Sequence, residues 1–208
     1  MLPVASKYRI ARRLGPAVFE QTQTQKFALR ASQAKEVKGK GRGKRGGRGG
    51  GDYGRQLLEK QRIRFTYGLS ESQLAAYAKK AYAAANPSLA LHHALESRAD
   101  SVVYASGIAP TRRAARQAVS HGHILVGGVR TTVPSHSIKK GDTISVRQGS
   151  RTSPLFASLS EKNEERRASP RWIEVDMNLL TATLSGDISY TQGETALDYP
   201  TLFEFYSR

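Results

Sequence analysis

Residues 98–147 read RADSVVYASGIAPTRRAARQAVSHGHILVGGVRTTVPSHSIKKGDTISVR, and helical spacing gives way to strand alternation within them. Val102 continues a repeat begun by Leu91 and Leu95, so the spacing predicts a helix that opens at Ser88 and runs until Gly107 breaks it. Pro110-Thr111 then caps a second helix, RRAARQAVSH, closed by Gly122. In this helix Arg112, Arg113 and Arg116 stand at i, i+1 and i+4 and project to one side. Ala114, Ala115, Ala118 and Val119 form the opposing apolar stripe. HILVGGVRTTV follows, where Gly127-Gly128 between β-formers reads as a tight hairpin turn. Lys140-Gly141-Asp142 makes a further turn, and TISVR alternates as the last strand of this piece. Two helices and a short twisted sheet make a compact module.

Upstream the text is helical. YGRQLLEKQRIRF predicts a helix from Asp52 through Arg64, ending near Gly68, with Arg55, Lys60, Arg62 and Arg64 set around Leu57, Leu58, Ile63 and Phe65. Ser70 with Gln73 three residues on is a capping box, and Leu69 and Leu74 take the staple positions. The alanine-rich helix that follows runs to Ala85 and stops at Asn86-Pro87. Before these lie an extended or partly helical arm with Lys7, Arg9, Arg12 and Arg13, and the run KGKGRGKRGGRGGG at 38–51. Eight of its residues are glycine and the other six are Lys38, Lys40, Arg42, Lys44, Arg45 and Arg48. Glycine offers a core nothing and costs most to order, so the run reads either as a solvated charged linker or as a strand that threads between phosphates, and six cations with no acid among them favour the strand.

Downstream of Ser150 the chain is polar and charged up to Pro170. RWIEVD (Arg171 to Asp176) then reads as a strand with Trp172 as a packing anchor, and the aromatic end YPTLFEFYSR packs back on the body. The class is α+β: a helical N-terminal domain plus a small module of two helices and a short twisted β-sheet. The expected divisions are a basic arm and loop (1–51), a helical domain (52–97), the module (98–157), and an acidic linker with a C-terminal segment (158–208).

Charge narrows the function. The chain of 208 residues carries a formal +16, made of +20 over residues 1–159 and −4 over 160–208. An excess of this size repels itself in a compact body unless a polyanion neutralises it, and nucleic acid leads anionic membrane as that partner. No stretch approaches the roughly 18 apolar residues of a membrane span. The start, MLPVASKYRIARRLG, lacks the pattern of a secretory signal. Cysteine is absent, which removes disulfides and thiolate zinc.

The five histidines, His92, His93, His121, His123 and His136, have no converging carboxylates in the sequence, so polar or RNA-facing histidines are expected and no metal or cofactor. The glycine-rich run lacks GxxxxGK[ST] spacing, and no GxSxG elbow is present, so an enzyme is not expected. For the arginine helix the alternative is a merely solvated face. Arg130, Lys139, Lys140 and Arg147 add cations to the same module, and no acid stands between Asp100 and Asp142 to pair with it. Guanidinium forks also match phosphate oxygens two at a time. These favour RNA.

RADSVVYASG, TRRAARQAVSHGHILVGG and KKGDTISVR resemble the small RNA-binding module of ribosomal protein four of the small subunit. SKYRIARRLG, DYGRQLLEKQRIRFTYGLSESQL, WIEVD and FEFYSR extend the resemblance, in order, over nearly the whole chain, to the bacterial-type family. The resemblance implies binding of small-subunit ribosomal RNA early in assembly, at a junction of helices in the 5′ domain, and nucleation of the subunit body. It implies contact with ribosomal protein five, an interface linked to decoding accuracy, and a place beside protein three near the path of incoming mRNA. It places the chain in the cytoplasm, in the small subunit, or in an organellar ribosome. Carried over residue by residue, it makes Arg12, Arg13, Arg55, Lys60, Arg62, Arg112, Arg113, Arg116, Ser120 and His121 RNA-facing. With Lys7, Arg9, Lys38, Lys40, Arg42, Lys44, Arg45, Arg48, Arg64, His123, Arg130, Lys139 and Lys140, these form the candidate RNA-binding set. Some relatives carry a cysteine zinc knuckle near the N-terminus, which this chain lacks. Ala99 stands where leucine is usual, and Gly127 where asparagine usually opens the hairpin.

Overall fold

The structure, a computed structural model, describes residues 6–30, 33, 51–157, 169–191 and 195–207. The chain forms two compact units, one of residues 1–88 and 191–208, the other of residues 89–190.

In the first unit the N-terminal stretch takes the partly helical of the two forms expected. α1 (Lys7–Leu14) buries Ala11 and Leu14, which join Val18, Phe19 and Phe27 in a cluster covered by Leu58 and Phe65. The sequence suggested few anchors here because Phe19 and Phe27 lie beyond α1 itself, Phe19 in the segment after it and Phe27 in a helical stretch over 25–30 (α2). α3 (Asp52–Thr66) has Asp52 in its first turn and Arg64 in its last, charges that suit the helix dipole at each end. α4 (Glu71–Tyr82) opens on the expected capping box: Gln73 N–H donates to Ser70 Oγ at 3.2 Å, and Ser70 N–H donates to Gln73 Oε1 at 3.1 Å. Leu69 and Leu74 are fully buried, as a staple requires. The helix ends at Tyr82, short of the Ala85 expected. α9 (Tyr199–Tyr206) is capped by Asp198, whose carboxylate accepts from Thr201 N–H, and packs on α3 and α4 with Tyr199 and Leu202 fully buried.

The second unit begins within α5 (Pro87–Glu96) and continues through α6 (Ala99–Ala105), α7 (Arg112–Ser120) and α8 (Pro154–Ala157). The single helix expected from Ser88 to Gly107 is broken at Ser97-Arg98. Arg98 is extended (φ −65°, ψ 142°) and bridges Ser137. Ser97 O accepts from Ile138 N–H at 2.7 Å, and Ala99 N–H donates to His136 O at 2.8 Å. Contacts to a distant segment therefore replace one turn of helical hydrogen bonds, a tertiary effect that side-chain periodicity cannot register.

The strands are β1 (Ile124–Val126), β2 (Val129–Thr131), β3 (Thr143–Val146), β4 (Ile173–Asp176) and β5 (Thr181–Leu184), in the order β2-β1-β3-β5-β4 with every pair antiparallel. Gly127 (φ 54°) and Gly128 (φ 82°) both sit in the left-handed region that a two-residue hairpin turn demands. The strand expected at Arg171–Asp176 is present as β4, but TISVR does not close the sheet, because β4 and the unexpected β5 join it beyond β3. Ile144 pairs with Ala182 of β5, and Ile173 of β4 with Leu184. TATL alternates, burying Ala182 and Leu184, but four residues are too short a run to stand out from their polar surroundings. The compact units accordingly divide the chain differently from the expected boundaries: residues 173–184 complete the sheet of the second unit, while α9 belongs to the first. Ile108, Ala115, Val119, Ile124, Ile144, Val146, Phe156 and Leu184 lie in one core, with Trp172 packed against it. The α+β class is as expected.

Candidate nucleic-acid interface

α7 carries the densest basic run of the second unit. Thr111 caps it, accepting from Ala114 N–H at 3.1 Å, and Ala115, Ala118 and Val119 face the core. That fixes which way the arginines go. Arg113, Gln117, Ser120 and His121 are exposed along one strip, at the spacing of successive turns.

Arg112 and Arg116 turn aside from it. Arg112 donates to Glu96 Oε1 at 3.0 Å and to Ser101 Oγ at 3.2 Å, with its guanidinium 4.6 Å over the Tyr104 ring. Arg116 Nε lies 3.4 Å from Asp100 Oδ2. Asp100 is itself buried and clasps the buried Arg98 through two hydrogen bonds, at 2.9 and 2.8 Å. The expectation that no acid would pair with the helix arginines is therefore corrected. The carboxylates come from before Asp100 and from Asp100 itself, because α6 packs against α7 and brings them across. Beside this network burial pushes the His92 imidazole below its ordinary pKa; Glu96 opposes the shift, and Arg112 and His93 add to it.

At the end of α7, Arg130 from β2 is exposed and donates to His121 O at 3.3 Å. His123 is half-buried, its Nδ1 at 2.9 Å from Ser150 Oγ and its ring edge-on to Phe156. Lys139 and Arg147 are exposed, and Lys140 meets Asp187 at the surface at 2.9 Å.

In the first unit Arg9, Arg12, Arg13 and Arg55 are exposed, and Lys7 donates to Gln21 at 2.9 Å. The other α3 cations are drawn inward. Lys60 is buried, 3.0 Å from Glu71 and 4.2 Å over the Phe205 ring. Arg62 bonds Glu59 and donates to Leu14 O at 2.9 Å. Arg64 lies 3.7 Å from Glu71 and 4.8 Å over the Phe65 ring. Burial pushes the Glu71 carboxyl up, but hydrogen bonds from Lys60 and Tyr206, with the charges of Lys60 and Arg64, outweigh it and hold the group below its usual value. Glu59 goes the other way: burial raises it more than Asp198 N–H and Arg62 lower it. Lys79 and Lys80, exposed in the last turn of α4, were left out of the candidate set because the run around them is mostly alanine. Lys38, Lys40, Arg42, Lys44, Arg45 and Arg48 lie outside the described residues.

Among the described residues no group of three or more His, Asp or Glu could hold a metal ion, and no helix is long and apolar enough to cross a membrane.

Two family models match adjoining parts of the chain: the ribosomal protein S4/S9 N-terminal domain over residues 4–96 and the S4 domain over residues 97–144. The α6–α7 pair with its hairpin thus defines an S4-domain protein, preceded by the helical domain of ribosomal S4/S9 proteins. The small ribosomal subunit protein uS4 of Borrelia turicatae (strain 91E135) is 35% identical over 207 residues, covering 98% of this chain and 96% of the relative. That of Sulfurihydrogenibium sp. (strain YO3AOP1) is 40% identical over 162 residues, 75% and 77% of the two chains. The chain belongs to the small ribosomal subunit protein uS4 family.

Proposed function

We propose that the chain is a structural constituent of the small ribosomal subunit that binds its ribosomal RNA directly, and that it is not an enzyme. The observation that carries this reading is the likeness to uS4 relatives across almost their entire length. The charge supports it: on a body of +16, Arg113, Arg130, Lys139, Arg9, Arg12, Arg13 and Arg55 all stand at the surface. Duplex RNA hides its major groove, so such a surface reads shape and phosphates more than bases. Lys60, Arg62, Arg112 and Arg116, engaged with carboxylates, set the fold behind that surface and reach RNA only through whatever part of each fork remains open. The finer reading is of a primary binder at a helix junction of the 5′ domain that nucleates the subunit body. It meets protein five in support of accuracy, and it lies with protein three beside the mRNA.

The full chain is mixed with a transcript of small-subunit ribosomal RNA, and affinity is followed by filter binding as salt rises. A protein neutralising Z phosphates loses affinity with a log–log slope of roughly −0.7Z to −0.9Z, so contact at six or more gives a steep decline. Salt-indifferent binding, or none at low ionic strength, refutes the reading. Retention on small subunits through a moderate-salt wash separates a core component from a loosely associated RNA chaperone.

A further inference from the structure

The guanidinium of Arg130 lies over Gly122, in the space that a side chain there would take. A β-carbon on Gly122 would fall on its Nε, 2.5 Å from Nη2 and 2.7 Å from Cζ. Real β-carbons never sit that close to another heavy atom, so the arginine occupies space that exists because this residue has no side chain. The same glycine has φ +72° and closes α7. Nη2 donates to His121 O, a carbonyl at the negative end of the helix. Arg130 stands on β2, the edge strand of the sheet, beside Val129, which is 70% exposed. No carboxylate forms an ion pair with it among the described residues.

We propose that Arg130 is a preset phosphodiester-binding residue and that Gly122 is the positioning residue that presets it. A free arginine side chain gives up much of its rotamer freedom when it is fixed on a ligand. Here the place left open over Gly122 and the hydrogen bond to His121 O set the fork within the fold. Of the five guanidinium N–H groups, one is used on His121 O; the rest stay on an exposed side chain. Its neighbours at that corner are the exposed Ser120 and His121. A phosphate oxygen pair is the planar acceptor that a fixed fork suits. The inference rests on the ribosomal-RNA reading and adds the residue that holds the fork in place.

The alternative is that Arg130 merely caps α7. A double-mutant cycle on the full chain, with the ribosomal RNA transcript as probe, separates the two. The wild-type salt slope is measured first; a flat slope sinks the RNA reading and this inference with it. Given a steep wild-type slope, Arg130→Ala makes it shallower by roughly 0.7 to 0.9, about a threefold smaller loss of affinity between about 50 and about 200 mM salt. Arg130→Lys restores the slope but not the full affinity, since an ammonium on a flexible stem keeps the charge without the fork. Gly122→Ala weakens binding in the wild-type background and adds no further weakening to Arg130→Ala, with folding followed in parallel by thermal melts. An unchanged slope in Arg130→Ala, or an equal loss from Gly122→Ala in both backgrounds, overturns the proposal while leaving the RNA reading intact.

Discussion

Asp100→Ala is expected to unfold the second unit more readily than any other single carboxylate substitution in it. Asp100 is 7% exposed in its side chain, and Arg98, which it holds by two hydrogen bonds, is 2% exposed; Arg116 leans on the same carboxylate at 15% exposure. Removing the carboxylate strips a buried guanidinium of the countercharge that offsets its desolvation, a loss of about 3–5 kcal/mol. That is a large fraction of the ~5–15 kcal/mol that holds a domain. The backbone at Arg98 also makes the bridge to Ser137, so strain there spreads into the segment that carries Ile138 into the core. The assay is urea unfolding of the full chain read by fluorescence. Trp172 is the one tryptophan and packs on the core of this unit, so the signal reports it selectively. With a slope of roughly 1–2 kcal/mol per molar urea for a unit of this size, the midpoint should drop by about 2 M or more. Replacing the pair together, Arg98→Met with Asp100→Leu, should recover most of the loss, because the more deeply buried guanidinium goes with its carboxylate and only the more exposed Arg116 loses a contact. A drop worth under about 1 kcal/mol, or a double variant no more stable than Asp100→Ala, would show that the pair is not the buried clasp described.

Other outcomes follow from the first unit and the hairpin. Ser70→Ala removes the acceptor for Gln73 N–H and should cost about 1 kcal/mol, read by urea titration with far-ultraviolet circular dichroism. Gly128→Val forces a β-branched residue to φ 82° and should cost more than about 1 kcal/mol in the Trp172 transition, whereas Gly127→Asn should be neutral or stabilising. Glu71 and Glu59 should leave opposite marks on acid stability. Glu71, held low, contributes stability that is complete above about pH 4.5 and is lost as pH falls through its lowered folded value; Glu71→Gln should flatten that decline in thermal melts. Glu59, raised by burial, costs stability when charged, and that cost disappears below about pH 4.5; Glu59→Gln should make the acid decline steeper.

Local chemistry was legible in the sequence and long-range pairing was not. The capping box, the Thr111 cap, the glycine pair of the hairpin and the class of the fold are each written within a few neighbouring residues. The break at Ser97-Arg98 is not, because its cause is the segment at 136–138, far along the chain. β5 escaped notice because its alternation lasts four residues, and α1 seemed poorly anchored because its partners come from beyond it and from α3. The family resemblance supplied what no spacing could, since a run of basic residues names a polyanion but not which one.

Counting cations overstates an interface in a way the second unit makes concrete. Arg112, Arg113 and Arg116 look equivalent on a helical projection, yet packing of α6 against α7 sends two of them to Glu96 and Asp100 and leaves one outward. An arginine engaged with an internal carboxylate has already exchanged water for a partner, so its further gain from a phosphate is smaller, and its loss damages the fold first. Substituting Arg116 should therefore lower stability more than it changes the salt slope, and substituting Arg113 should do the reverse. The surface that meets a polyanion is thus set by where the acids fall as much as by where the bases do. Glu59, Glu71, Glu96 and Asp100 draw Arg62, Lys60, Arg112 and Arg116 to themselves, while Arg113, Arg130 and Arg55 stay at the surface.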